Sequence, residues 1–176
     1  MPDNRPLNPL TTKVFRIPFD RIQTEHIEPA VTQLLSEAQE RLDRLAADSK
    51  DRTYRNTLAA LENITGDLEY TMGIVEHLEG VATKPDLRSA YTAVEPKVSA
   101  FYSSIALNEG VWKQLKSFAV SKEAKLLSGA RARFLKKTIE SFRRNGADLD
   151  VSDKKKLAEI NVELAKLTTK YSQNVL

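Results

Sequence analysis

The sequence predicts an all-α protein: an antiparallel helical bundle of about six helices with an extended N-terminal arm. Apolar residues recur at spacings of three and four along most of the 176 residues, which is the period of amphipathic helices. No segment alternates apolar and polar residues convincingly, as a half-buried strand would. Four of the seven prolines fall within the first eighteen residues, so the chain begins outside the helical pattern. Long amphipathic helices of this kind are typical of a bundle.

The first part of the chain, residues 1–22, is predicted to be an extended Pro-rich arm. Each proline lacks a backbone donor and disfavours the helical conformation in the residue before it. These prolines are Pro2, Pro6, Pro9 and Pro18. The arm also carries four apolar side chains, Phe15, Ile17, Phe19 and Ile22. We therefore expect it to lie pinned across the helices of a helical domain that spans residues 23–176.

The first two helices each have an apolar stripe at helical spacing. Helix one is predicted over residues 24–48, with Thr24 as N-cap and Pro29 tolerated near its start. Helix two is predicted over residues 53–82, with Thr53 as N-cap. The stripe of helix one is Ile27, Val31, Leu34, Leu35, Ala38, Leu42 and Leu45. The stripe of helix two is Leu58, Leu61, Ile64, Leu68, Met72, Val75 and Leu78.

Helix two also carries small residues every seven positions: Ala59, Gly66, Gly73 and Gly80. A glycine inside a helix costs about 1 kcal/mol relative to alanine. A line of missing side chains would let a neighbouring backbone approach closely, so we favour a close helix crossing along this stripe. The alternative is three unrelated flexible points.

Helices three and four are predicted from the same spacing. Helix three covers residues 86–108, with Asp86 as its cap. Pro96 stands in the middle of this pattern, where it removes a hydrogen bond and should kink the helix. Helix four is short and covers residues 111–120.

Helices five and six complete the chain. Helix five is predicted over residues 121–145, from a Ser121 cap to a left-handed C-cap at Gly146. Helix six is predicted over residues 152–176, with Ser152 as its cap. Its stripe is Leu157, Ile160, Leu164, Leu167, Tyr171 and Val175. A helix usually ends with Gly or Asn after the stripe, or with Pro shortly beyond, but this stripe runs to the last residues. We therefore expect the chain to be the N-terminal piece of a longer protein.

The sequence contains no recognisable active site. Its two histidines, His26 and His77, stand 51 positions apart, whereas a zincin requires H-E-x-x-H. The residues three positions before them are Gln23 and Ile74, so the Glu-x-x-His pairs of di-iron bundles are absent too. The chain has no cysteine and no G-x-S-x-G elbow. We predict that both histidines are surface or packing residues, and that the chain has no catalytic, cofactor-binding or metal-ligating residue.

Charge is distributed unevenly. Residues 113–144 carry ten Lys and Arg against two Glu. Such a stretch is compatible with nucleic acid or anionic lipid, but aromatic residues for stacking and a Gly-rich phosphate loop are missing, so a solvated helix face is favoured. No apolar run is long enough to span a membrane, and the N-terminus lacks the apolar stretch of a secretory signal. We expect a cytoplasmic protein without a nucleic acid or membrane partner.

Several segments, in the same order along the chain, resemble one family: the N-terminal region of the zinc oligopeptidases that includes oligopeptidase A, thimet oligopeptidase and dipeptidyl carboxypeptidase. The bacterial oligopeptidase A-like branch is the most similar. The family often has Trp at the place of Tyr54 and Pro at the place of Thr24, and both changes are compatible with the same helix starts. The segments are Asn8-Pro9-Leu10, Pro18-Phe19-Asp20-Arg21-Ile22, Glu25-His26-Ile27-Glu28-Pro29-Ala30, Thr53-Tyr54-Arg55-Asn56-Thr57-Leu58, Leu87-Arg88-Ser89-Ala90-Tyr91, Pro96-Lys97-Val98, Phe134, Phe142-Arg143 and Leu167-Thr168-Thr169-Lys170-Tyr171-Ser172-Gln173-Asn174-Val175-Leu176.

The resemblance implies a parent enzyme that hydrolyses short peptides with a zinc-activated water. The family's H-E-x-x-H motif and third zinc ligand lie beyond Leu176, so the chain is expected to be truncated before the catalytic zinc domain. It would hold no cofactor itself, form one wall of the substrate channel and be inactive alone. Its expected partners are its own C-terminal catalytic domain and, in the parent, short peptide substrates. Apolar surface left bare, above all on helix six, would favour self-association. The alternative is a stand-alone helical protein-interaction or scaffolding module.

Overall fold

A computed structural model describes residues 8–175 as an all-α fold, which confirms the predicted class. Within those residues there are seven α-helices, not about six, because predicted helix five is two helices. Pro2, Pro6 and Leu176 lie outside the described residues, as does the side chain of Val175. The helices are α1 Ile27–Ala47, α2 Leu58–Ala82, α3 Pro85–Leu107, α4 Glu109–Ala119, α5 Lys122–Leu126, α6 Gly129–Arg144 and α7 Val151–Val175.

The core forms around α1, which packs against α2, α3 and α4. Its predicted stripe is confirmed: every member is fully buried except Leu35, which is half-buried. Ile27, Val31 and Leu42 are among the largest side chains that are completely enclosed, together with Phe118 and Leu115 of α4. Burial of this continuous apolar face is the main stabilising contribution to the bundle.

Two helix starts differ from the predictions because side chains near them bind elsewhere. Thr24 does not cap α1; its hydroxyl donates to a carboxylate oxygen of Asp86 at 3.0 Å. A 3-10 turn over Thr24–His26 precedes the helix, and Gln23 and His26 form a reciprocal capping box there. Asp86 in turn is not the cap of α3, since the helix begins at Pro85 with Lys84 at the N-cap position.

Helix α2 begins at Leu58 and not at the predicted Thr53. Asn56 Oδ1 accepts a hydrogen bond from the Thr53 backbone N–H at 2.8 Å, and Thr53 Oγ1 accepts one from the Asn56 N–H at 3.2 Å. These side chains bind backbone groups of a tight turn, and this local bonding competes with helix formation. Thr53 therefore caps a turn that precedes the helix.

The predicted close crossing along the glycines of α2 is wrong. A Cβ added at Gly73 or Gly80 would meet nothing within 4 Å, and one at Gly66 would meet only the Nζ of Lys13 at 3.5 Å. The close approach is instead at Gly110 in the first turn of α4. There an added Cβ would lie 2.7 Å from the Cβ of Ala46 at the end of α1. The glycine face of α2 is open because the helix buries its other side.

A break at Ser128 separates α5 from α6. Ser128 is extended and Gly129 has a φ of +54°, a conformation that L residues other than glycine rarely adopt. The predicted C-cap at Gly146 is confirmed, with a φ of +91°. The backbone N–H of Ala147 donates to the Phe142 carbonyl at 3.0 Å, which completes a Schellman motif.

Helix α7 begins at Val151, one residue before its predicted cap. The capping oxygen belongs to Asp150, whose carboxylate accepts from the Asp153 N–H at 2.8 Å. Ser152 is therefore inside the helix and does not cap it. Pro96 lies inside an uninterrupted α3, and the kink expected there stays a prediction. No helix among the described residues is long and apolar enough to cross a membrane.

The described part of the arm is pinned on the helices, as predicted, but its most deeply buried residue is Leu10, which is not among the four apolar side chains named from the sequence. Leu10 is completely buried, and its carbonyl accepts a 2.6 Å hydrogen bond from the buried hydroxyl of Thr71. The Tyr70 hydroxyl donates to the Val14 carbonyl at 3.1 Å. Phe15 is fully exposed at the outside of the arm. Polar bonds to the backbone therefore hold the arm as much as apolar burial does.

Candidate functional site

Helix α7 lies on α3 through a face of small residues. Ala165 is buried at this contact, and the hydroxyl of Thr169 donates to a carboxylate oxygen of Glu95 on α3 at 2.7 Å. Ala158 and Val162 continue the same face and are half-buried. These four residues are spaced four, three and four positions apart, a second helical stripe that the sequence analysis did not identify. The helical spacing of these residues is visible in the sequence, but small residues contribute little to an apolar pattern.

The large apolar residues of α7 point away from α3. Ile160, Leu164, Leu167 and Tyr171 are 61%, 59%, 55% and 71% exposed. Helical positions 100° apart place these four side chains within a narrow strip, opposite the face that contacts α3. The expectation that apolar surface is bare on the last helix is therefore confirmed. Contiguous exposed apolar surface marks an interaction site more often than isolated apolar residues do. We call these four residues the α7 outer face, and it is the candidate functional surface.

Both histidines occupy local structural positions. His26 is half-buried, and its Nδ1 accepts a hydrogen bond from the Gln23 N–H at 3.1 Å. His77 is exposed, and its ring lies 5.8 Å from that of Phe19. Within residues 8–175 no group of three or more His, Cys, Asp or Glu side chains is arranged to hold a metal ion.

A groove of about 400 Å³ lies between α2, α3 and α6. Leu61, Phe134 and Phe142 form its apolar part, and Tyr102 stands at one side. Burial, with Glu69 and Glu76 nearby, raises the pKa of Tyr102 to about 12. The Thr65 hydroxyl in the groove donates to a carboxylate oxygen of Glu69 at 2.6 Å, and the rest of the lining resembles a packing surface.

The basic segment forms a surface in which several cations have partners within the chain. Arg131 lies over the ring of Tyr54, with its guanidinium carbon 5.0 Å from the ring centre. Lys137 pairs with Glu140 at 3.0 Å, and this hydrogen bond lowers the pKa of Glu140. Other basic residues in 113–144 are exposed. The solvated face favoured from the sequence stays a prediction.

A known domain family covers most of the helical region. The family model described as "Neurolysin/Thimet oligopeptidase, N-terminal domain" matches residues 31–156, from the second turn of α1 into the second turn of α7. The chain belongs to this oligopeptidase family. The resemblance found in the sequence is thus confirmed, and with it the assignment of the chain to the N-terminal domain of such peptidases.

Relatives in the oligopeptidase family align with nearly the whole chain. Oligopeptidase A of Escherichia coli K12 is 29% identical over 169 residues, which are 96% of this chain and 25% of the relative. Organellar oligopeptidase A of Arabidopsis thaliana is 30% identical over 169 residues, or 96% of this chain and 21% of the relative. Dipeptidyl carboxypeptidase of E. coli K12 is 23% identical over 158 residues, or 90% and 23%. The chain therefore spans about a quarter of the length of the relatives it matches.

Proposed function

We propose that this chain is the N-terminal helical domain of a zinc-dependent oligopeptidase that hydrolyses short peptides. The observation that carries the proposal is the family match over 31–156 combined with the bare α7 outer face. A domain whose last helix exposes its largest apolar side chains has surface suited to a further part of the same protein. In the parent the bundle forms one wall of the substrate channel, and its partners are the catalytic part and short peptide substrates.

The chain alone is inactive in this proposal, since its residues do not fit a zinc site. His26 uses its Nδ1 to accept a backbone hydrogen bond, and His77 packs beside Phe19. A catalytic zinc requires three protein ligands within about 2 Å of one point, with an open position for water. Zinc and its H-E-x-x-H motif would therefore belong to the remaining part of the peptidase.

The decisive experiment is to read the gene beyond the codon for Leu176. We expect an open frame that continues for roughly three times the present length and encodes H-E-x-x-H. A stop codon directly after Leu176 would refute the proposal and favour the stand-alone interaction module. Metal analysis of the purified chain provides an independent check: we expect no bound zinc and no peptide hydrolysis, and one tightly bound zinc per chain would contradict the proposal.

Cytoplasmic location and self-association of the isolated chain are further parts of the proposal. A relative from Arabidopsis thaliana that is 28% identical is named a probable cytosolic oligopeptidase A, which supports the location, whereas the 30% identical relative from the same plant is named as chloroplastic/mitochondrial. The α7 outer face supports self-association, because two copies that cover this face remove apolar surface from water. Light scattering over a concentration series should show a mass that rises above 19.8 kDa. A strict monomer at high concentration would contradict it.

A further inference from the structure

The α7 outer face has the spacing of a coiled-coil seam. With half-buried Leu157, its residues are separated by three, four, three and four positions. This is the a/d spacing that lets two helices pack nearly parallel or antiparallel, at about 20°, with knobs in holes. From Leu157 to Tyr171 the seam extends about 21 Å at 1.5 Å per residue. A surface of this form fits one helix and does not fit a flat or globular partner as well.

We propose that α7 is a bridging helix: its small-residue face belongs to the N-terminal bundle, and its seam receives a helix from the following part of the parent peptidase. This inference rests on the proposed function and adds that the partner surface is a single helix. The partner helix lies along α7 and contributes apolar side chains at a/d spacing.

The match to the N-terminal domain family ends inside α7. The N-terminal domain model ends at residue 156, immediately before Leu157, the first residue of the seam. The alignment with E. coli oligopeptidase A nevertheless covers 169 of the 176 residues, so it includes Ile160, Leu164 and Leu167 wherever it begins. The region aligned with this relative therefore extends across these seam positions, although the family match ends before them. Those relatives are about four times longer than this chain and have polypeptide available to cover the seam.

Charges along the seam specify the partner further. Lys156, Glu163 and Lys170 are exposed at seven-residue intervals along one edge, and Asn161 and Thr168 occupy the other edge. Lys156 also pairs with Asp153 at 2.9 Å. Edge charges of a coiled coil select partners of opposite sign. A helix with an acidic, basic and acidic residue at matching intervals is the complementary partner.

The same edge restricts how a second copy of α7 could pair with the seam. In the antiparallel register that pairs Leu157 with Leu167, Glu163 would face its own equivalent and Lys156 would face Lys170, so like charges would meet. In the register that pairs Ile160 with Tyr171, Glu163 would instead face Lys170 of the other copy. In a parallel pair the charged edge would face Asn161 and Thr168, without complementary charge. Like charges at such positions are destabilising. A second copy of α7 therefore meets complementary charges in one antiparallel register only, whereas a different helix can complement all three edge charges, and the test below separates these two occupants.

Co-expression provides the test. The full 176-residue chain is co-expressed with a tagged probe, the portion of E. coli oligopeptidase A that follows the region aligned with this chain. The aligned N-terminal quarter of the E. coli protein serves as positive control for a competent probe. The seam variant carries I160S, L164S and L167S. The matched control carries V81S, V120S and L126S, three aliphatic residues that are 69%, 72% and 83% exposed elsewhere.

A second pair of variants tests the charges. The edge variant inverts the three charges beside the seam and is K156E/E163K/K170E. The matched control inverts three charges of the same kind at exposed positions farther from the seam and is K155E/E159K/K166E. We expect capture of the wild-type chain, at least about tenfold weaker capture of the seam variant, and a several-fold loss for the edge reversal only. Circular dichroism should show unchanged helicity in all variants, because the small-residue face of α7 is untouched.

Several results would overturn the inference. The inference is wrong if the wild-type chain does not bind a probe that does bind the N-terminal quarter of the E. coli protein. It is also wrong if the wild-type chain and the seam variant are captured equally. Loss of self-association without loss of capture in the seam variant would assign the seam to a second copy. The proposed function has its own test, because a stop codon after Leu176 would refute it. If the reading frame continues but the seam variant is captured as well as the wild-type chain, only this inference is refuted.

Discussion

Two glycine substitutions with opposite expected signs test the packing of the bundle. At Gly110 an added Cβ would lie 2.7 Å from the Cβ of Ala46 and 3.1 Å from its Cα and carbonyl oxygen. Two of these atoms belong to the backbone of α1 and cannot move aside alone. Gly110→Ala should therefore reduce the free energy of unfolding by roughly 1–3 kcal/mol, the usual cost of overpacking. At Gly73 the same Cβ meets nothing within 4 Å. Gly73→Ala should raise the free energy of unfolding by about 0.5–1 kcal/mol, because alanine has the higher helix propensity.

Urea unfolding followed by circular dichroism measures both changes, provided that the m-value stays constant. In a domain of this size each kcal/mol shifts the melting temperature by about 2–4 °C. Gly80→Ala, also exposed and open, serves as a second control for the helix-propensity gain. A loss of stability in Gly73→Ala would mean that another element covers this face of α2, as in the close helix crossing that was predicted from the sequence. A neutral Gly110→Ala would mean that α1 and α4 are not in backbone contact, and would refute the packing described above.

Two further changes test the arm. Thr71→Val preserves shape but leaves the buried Leu10 carbonyl without its hydroxyl donor, so it should cost about 1–3 kcal/mol and speed tryptic cleavage after Lys13; unchanged cleavage would contradict the anchoring role. Hydrogen bonds from Lys13 and Arg41 lower the pKa of Asp67. This pair stabilises the fold above the unfolded pKa of roughly 3.9, and the contribution is lost as pH falls through the lower folded value. The urea midpoint of Asp67→Asn should therefore fall less between pH 5 and 3 than that of the wild-type chain, and equal slopes would contradict the assignment.

The accuracy of the sequence analysis differs between helix faces and helix ends. The stripe of α1 is buried as predicted, since one strongly apolar face has few alternatives to the core. Gly146 adopts the left-handed conformation because no other residue tolerates it as readily. Caps were less predictable: Ser121 caps α5 as predicted, whereas Thr24 and Ser152 each have a chemically suitable side chain but no capping role. A side-chain oxygen that could cap a helix can also accept from another nearby donor, and a hydroxyl can donate to another acceptor. Which partner it binds depends on residues that are distant in sequence.

The histidines illustrate the same division in the search for a site. Their spacing excluded the known metal motifs from sequence alone. Their observed partners, a backbone N–H for His26 and the ring of Phe19 for His77, depend on the folded arm and α2. No sequence pattern encodes such partners, because they come from segments that meet only in the tertiary structure.

By itself the sequence determined that the protein is helical, where most helices lie and which side of each is apolar, because helical period and backbone sterics are local properties. It also determined the family, through collinear segments. Only the tertiary structure decided which apolar sides are covered. In α7 the small residues pack on α3, since small side chains allow close contact, and the large apolar residues remain in solvent. In α2 the glycine face lies open because α1 covers the opposite side. Periodicity specifies that a face is apolar, but the element that buries it depends on the positions of all the other helices.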